Sequence, residues 1–108
     1  MTAVHSVLGI DIGGTNVRFA QVDRDLEVLR SKKEKVEEVQ DLPAFLLSTI
    51  QEFIDQAEVP IGAVAIGIPG IVSSAGEILS IPNLDQSLVG LNLKETVESR
   101  FNIPTFVQ

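Results

Sequence analysis

Val7-Leu8-Gly9-Ile10-Asp11-Ile12-Gly13-Gly14-Thr15-Asn16-Val17-Arg18 is an apolar run that ends in an aspartate, a double glycine and two small polar residues. A second apolar run begins at once. Runs of this length, Val7 to Ile12 and Val17 to Val22, read as strands rather than helices. The link between them is then a tight hairpin, with Gly13 and Gly14 free to take up positive φ and leave their N–H groups unobstructed. Exposed amides in a turn make a concave anion site. Thr15 and Asn16 add side-chain donors, and Arg18 adds a fixed positive charge. Asp11, at the strand end, is placed to hold a hydrated divalent cation beside a phosphate. A Gly-Gly turn alone is an ordinary hairpin; the Asp before it and the Thr-Asn-x-Arg after it are the equipment for gripping a polyphosphate. Neither GxxxxGK[ST] nor GxGxxG occurs, so neither a P-loop nor a dinucleotide fingerprint is present.

The stretch Leu8 to Arg18 resembles the first phosphate motif of the sugar-kinase, actin and Hsp70 ATPase superfamily. More narrowly, it resembles the bacterial glucokinase-like ROK family (repressor, open reading frame, kinase).

At 108 residues the chain is one domain or less, and 44% hydrophobic residues supply a core. A net charge of −7 argues against nucleic acid or an anionic membrane surface as partner, but does not forbid a local nucleotide cradle. There is no cysteine, which excludes disulfides and thiolate metal sites. No signal peptide is visible, and the most apolar stretch, Val59 to Val72, is broken by prolines and glycines and too short to span a bilayer. A cytoplasmic protein is expected.

Beyond the opening hairpin, Asp23-Arg24-Asp25-Leu26 reads as a turn and Glu27 to Val36 as a third strand. Four of the eight basic residues fall there: Arg30, Lys32, Lys33 and Lys35. With Glu34, Glu37 and Glu38 interleaved, they are expected to guard an exposed edge strand rather than to bind a ligand. Apolar positions from Leu42 to Ala57 recur at helical spacing, with Asp41 as N-cap and Pro43 in the first turn. Pro60 ends that helix. Ile61 to Ile68 is apolar on both pleat faces, as expected of a central strand covered by helices on both sides. Pro69-Gly70, Ile71-Val72, a Ser73-to-Gly76 turn and Glu77 to Ile81 form a short flap at that strand's carboxyl end, where ligands sit in open α/β sheets. Asn92 and Glu95 cap a second helix, Leu93 to Phe101. Thr105-Phe106-Val107 begins a fifth strand of the main sheet.

The resemblance extends through Ile66-Gly67-Ile68-Pro69-Gly70-Ile71-Val72, which is similar to the family's second signature, and through Asn83-Leu84. It implies a ribonuclease H-like (actin-like ATPase) α/β fold with a five-stranded mixed sheet in the order 3-2-1-4-5 and helices on its faces. It implies ATP and Mg²⁺ as cofactors and small-molecule partners, a sugar and a nucleotide. Gly13, Gly14, Thr15, Asn16 and Arg18 would hold phosphates, Asp11 would hold Mg²⁺ through water, and Gly70 and Asn83 would help form the sugar pocket. The implied activity is that of a glucokinase-like hexose kinase; a sugar-sensing domain of a ROK transcriptional regulator is the alternative. The family's catalytic aspartate segment, its Glu-x-Gly-His and cysteine-rich zinc motifs, and the tryptophan often found after the asparagine-leucine pair are not in this sequence. Residues 1–108 are accordingly expected to be an amino-terminal lobe truncated before the catalytic segment and second lobe. Such a lobe is expected to be inactive alone, with self-association or a missing second lobe covering its bare surfaces.

Overall fold

A computed structural model describes residues 5–82 and 86–108 of the chain. Three strands form an antiparallel meander: β1 (Ser6–Ile12), β2 (Asn16–Asp23) and β3 (Val28–Lys35). A 14-residue helix, α1 (Leu42–Asp55), leads into β4 (Ile61–Gly67), which pairs in parallel with the free side of β1. The chain then leaves the main sheet for a small hairpin, β5 (Ile71–Val72) and β6 (Ile78–Ser80). It returns through a 3-10 turn at Gln86–Leu88 and helix α2 (Leu93–Phe101) to β7 (Thr105–Val107), parallel to β4. The sheet order is β3-β2-β1-β4-β7, the expected 3-2-1-4-5 arrangement with the flap strands set aside.

Local chemistry explains each boundary. The Asp41 carboxylate accepts the Ala44 amide at 3.1 Å, and Pro43 sits in the first turn, where its missing N–H costs no helical bond. The helix stops at Asp55, two residues before the apolar pattern runs out at Ala57. Asn92 Oδ1 accepts the Glu95 amide at 2.9 Å, and Asn102 closes α2 in the left-handed region at φ 56°. Strand β3 ends at Lys35, one residue short of expectation, because Val36 starts a 3-10 turn whose first amide donates to the Thr15 carbonyl.

The core lies on one face of the sheet. Leu8, Ile10, Ile12, Val17, Phe19, Val64 and Ile66 point into it and meet Leu42, Leu46, Ile50 and Phe53 of α1 and Leu93 and Val97 of α2. Phe19 stacks on Phe53 with ring centres 6.0 Å apart and takes Phe45 edge-on at 5.8 Å. This corrects the expectation that β4 is covered on both sides. Its alternate residues Ala63, Ala65 and Gly67 lie on the opposite face and are only half-buried, because both crossover helices pack on the Val64 and Ile66 side. On that second face Ala20, Gly9 and Ala65 sit side by side across three strands, with Phe106 of β7 beyond them and 58% exposed.

A buried polar cluster closes the end of the sheet remote from the Gly-Gly loop. Gln21, 1% exposed, donates through Nε2 to Ser6 Oγ at 2.9 Å and to the Val59 carbonyl at 2.8 Å. Its Oε1 accepts from Arg30 Nε at 2.9 Å and Nη2 at 2.7 Å, while the guanidinium also donates to the Phe53 carbonyl and lies 4.7 Å from the Phe53 ring centre. Nothing in the apolar patterning announces this cluster. It depends on Gln21 and Arg30 facing each other across β2 and β3.

Candidate phosphate and sugar site

The β1–β2 link is built as a bare, rigid corner. Gly13 donates its amide to the Asn16 carbonyl at 2.9 Å, which closes the hairpin. Neither Gly13 nor Gly14 uses its freedom to take up a positive φ; the left-handed glycines among the described residues are Gly76 and Gly90. What Gly13 supplies is clearance, since a Cβ there would lie 3.2 Å from the Asn16 oxygen. A Cβ on Gly14 would meet nothing within 4 Å, so that position leaves the loop surface naked. The Gly14 and Thr15 amides have no acceptor among the described residues, and both residues are exposed. Two uncommitted N–H donors on an open corner make a small anion cradle.

Around that corner the strand register assembles the charges. Asp11 pairs with Arg18 across β1 and β2 and with Gly67 across β1 and β4, so all three share the open face of the sheet. The Asp11 carboxylate is exposed, with no hydrogen bond or ion pair among the described residues. Gly67 keeps the space beside it free: a Cβ there would stand 3.9 Å from Asp11 Oδ1. Sequence reading singled out Asp11 and Arg18 but not Gly67, whose role becomes visible only once β4 is registered against β1. The three residues line one wall of an open depression of about 420 Å³ that runs along the small residues to Phe106 and Gln108.

No group of three or more His, Cys, Asp or Glu side chains suited to a metal occurs among the described residues. A single free carboxylate beside free amides is nevertheless a fitting donor set for Mg²⁺. That ion keeps several waters and binds through one or two carboxylates plus phosphate oxygens.

Gly70, expected on the sugar side, leads into the flap. Gly70 is demanded by packing, because a Cβ on it would collide with the Ser80 carbonyl oxygen across the hairpin. The Gly76 turn packs on Lys94, and Asn92, besides capping α2, donates Nδ2 to the Ala75 carbonyl at 3.0 Å. Main-chain bonds from Ile78 to Leu91 and from Gly90 to Ile78 tie the flap to the segment that leads into α2. Asn83 lies outside the described residues; it follows β6 by three positions.

The ROK family model matches residues 7–108, nearly the whole chain. The chain belongs to the ROK family. Among ROK relatives, the polyphosphate glucokinase of Mycobacterium leprae is 29% identical over 104 residues, covering 94% of this chain and 31% of that protein. A ROK family glucokinase from Streptomyces griseus, solved with glucose and AMPPNP, superposes with a TM-score of 0.72 at 27% identity, over 95% of this chain and 32% of that one. A ROK family transcriptional regulator, a homologue of the E. coli MLC protein, superposes with a TM-score of 0.80 at 27% identity, over 94% of this chain and 27% of that one. The chain thus spans about a third of the length of these ROK proteins. The actin-like ATPase fold of the sugar kinases is the fold of this chain. No helix among the described residues is long and apolar enough to cross a membrane.

Proposed function

We propose that this chain is the amino-terminal lobe of an ATP-dependent, glucokinase-like hexose kinase that acts in the cytoplasm. The observation that carries the reading is the corner at Gly14 and Thr15: two amides without acceptors among the described residues, flanked on one sheet face by a carboxylate equally without a partner among them and by an arginine. Phosphoryl transfer asks a protein mainly for position and charge neutralisation, and this corner supplies both. Gly14, Thr15 and Asn16 would hold phosphate oxygens, Gly13 would keep the loop shut, and Arg18 would offset negative charge. Asp11 would hold hydrated Mg²⁺, which when bound screens the phosphate oxygens from an incoming hydroxyl. The flap, with Gly70 shaping its base and Asn83 just past its second strand, would present the sugar. An amide suits that task because it donates and accepts at once.

The kinship with a ROK regulator supports a second reading, a sugar-sensing domain. An intact phosphate corner favours the kinase, since a sensor of free sugar has no use for Asp11 beside free amides.

Titration of the chain with AMPPNP and Mg²⁺, followed by amide NMR, tests the reading. Signals of Gly14, Thr15 and Asn16 should shift in a Mg²⁺-dependent way. Shifts confined to the flap on adding glucose, with none at the corner on adding nucleotide, would favour the sensor. A coupled assay should find no hexose phosphorylation by the chain alone, because in this reading the carboxylate beside the corner, Asp11, is taken up in holding Mg²⁺.

A further inference from the structure

The main sheet ends in β3 on one side and in β7 on the other. The two edges are protected by different means. β3 carries Arg30, Lys32, Lys33 and Lys35, and lysines on an edge strand discourage a further strand from pairing with it. β7 has no charge of its own: it consists of Thr105, Phe106 and Val107, three good strand formers. Pro104 and Gln108 turn their main-chain groups toward β4, since the Pro104 carbonyl accepts from the Val64 amide and Gln108 bonds to Ile66 and Ile68. By the alternation along a strand, Thr105 and Val107 turn theirs outward, to where a further strand would lie.

The outward groups of Thr105 are already occupied. Glu98 Oε2 accepts the Thr105 amide at 3.0 Å, and Lys94 Nζ donates to the Thr105 carbonyl at 3.1 Å. The two side chains are joined to each other at 2.8 Å, one turn apart on α2. A carboxylate oxygen and an ammonium thus stand where the carbonyl and amide of a neighbouring strand would stand. An ion pair that only steadied α2 would need no partner on the sheet. Here both of its ends converge on the main chain of one edge residue.

We propose that the β7 edge is a docking site for β7 of a second copy of this chain, held shut by the Lys94–Glu98 pair. In a two-fold antiparallel pairing centred on Phe106, Thr105 of each copy lies opposite Val107 of the other. Every main-chain bond of that pairing has one end on a Thr105, so a cap on this single residue blocks them all. Phe106, 58% exposed, meets its own copy at the close position between those bonds, where aromatic side chains pair well. No charged residue of β7 opposes the match.

Sedimentation equilibrium of the native chain and of two double variants tests the proposal. Lys94→Ala with Glu98→Ala uncovers Thr105 and suits a helix. The exchange Lys94→Glu with Glu98→Lys keeps opposite charges on α2 but sets a carboxylate toward the Thr105 carbonyl and an ammonium toward its amide, so neither capping bond forms. Both side chains are more than a third exposed, so these substitutions leave the core untouched, and thermal melts establish that each variant is folded. Both variants should dimerise at least about tenfold more tightly than the native chain, the gain from one or two recovered hydrogen bonds. Amide exchange at Val107 should slow as the dimer forms. Adding Val107→Pro to either variant removes an outward N–H without touching the bonds to β4, and should return association to the native level.

Association of the folded variants no tighter than that of the native chain would overturn the proposal. Tighter association that survives Val107→Pro would overturn it too, because the contact would then lie elsewhere than the β7 edge. Should the alanine variant fail to fold, the exchanged pair decides between these outcomes by itself.

Discussion

Asp11 and Gly67 lie side by side at the carboxyl ends of the parallel strands β1 and β4, and the carboxylate faces a residue that has no side chain. A carboxylate that has no partner among the described residues adds no bond to the fold, so its position is explained by what it binds. Asp11→Asn keeps the shape and removes the charge. It should eliminate the Mg²⁺-dependent part of nucleotide affinity and leave the melting temperature of the free chain equal or higher. In a longer enzyme that contains this lobe, kcat should fall by about two orders of magnitude, the scale for loss of one preorganised electrostatic group. Gly67→Val should mimic the binding defect by crowding the carboxylate, while holding or raising stability because valine suits a strand better. A sharp drop in melting temperature for Asp11→Asn with undiminished Mg²⁺-dependent binding would make the residue structural.

Gly70 is a packing requirement of the flap. Forcing a methyl group against the Ser80 carbonyl should cost about 1–3 kcal/mol, the range for overpacked sites. Gly70→Ala should therefore lower the melting temperature by several degrees, and amide exchange should quicken first in β5 and β6. Unchanged stability and exchange would show that the flap relaxes freely around position 70.

Gln21 and Arg30 should behave as one unit. Gln21→Leu removes both acceptor and donor from a buried site, leaving the Val59 carbonyl and the Arg30 guanidinium short of partners, at a cost of about 1–3 kcal/mol. Arg30→Ala also loses the contact with the Phe53 ring. Urea unfolding of the double variant should show less destabilisation than the sum of the single ones, because the two side chains share bonds. Strict additivity would mean that they act independently.

Glu98 links α2 to β7. Its carboxylate accepts from Lys94 Nζ at 2.8 Å and from the Thr105 amide at 3.0 Å, and these two bonds, the lysine's foremost, hold its pKa below the usual 4.5. A carboxyl whose pKa is lower in the folded than in the unfolded chain stabilises the fold fully above its unfolded value. That contribution disappears as pH falls through the lower folded value. Native chain and Glu98→Gln should thus differ in urea midpoint at neutral pH and converge as the solution is acidified from about pH 4.5 downward. The difference should shrink in high salt, since both side chains of the ion pair are more than a third exposed.

Both helices, the flap and the opening β1–β2 hairpin that carries the Gly14 and Thr15 amides were legible because each rests on local signals: apolar runs, Asp41 and Asn92 caps, and the Gly-Gly link. The sheet order followed from the family resemblance. Three things were not, and each depends on register between distant strands. Gly67 matters only because β4 places it beside Asp11. Lys32 and Lys33 look alike in sequence, but one faces Glu52 and the other Arg18. Ala63, Ala65 and Gly67 alternate with valine and isoleucine in a run that reads as apolar on both sides, yet only the larger residues meet a helix. The turn conformation also eluded the pattern, because Gly13 is needed for clearance from Asn16 and not for a left-handed φ.

The central place of β1 has a bearing on how the chain is made. It precedes the other described strands of the sheet along the chain, and β2 and β3 follow directly to occupy one of its edges. Its other edge belongs to β4, which cannot arrive until α1 and both its connections have left the ribosome. At typical elongation rates that leaves the Ser6–Asp11 edge bare for several seconds, roughly the time to synthesise the intervening stretch. A nascent meander in that interval is open to pairing with a neighbouring copy, so the timing of α1 governs how much of the product folds alone.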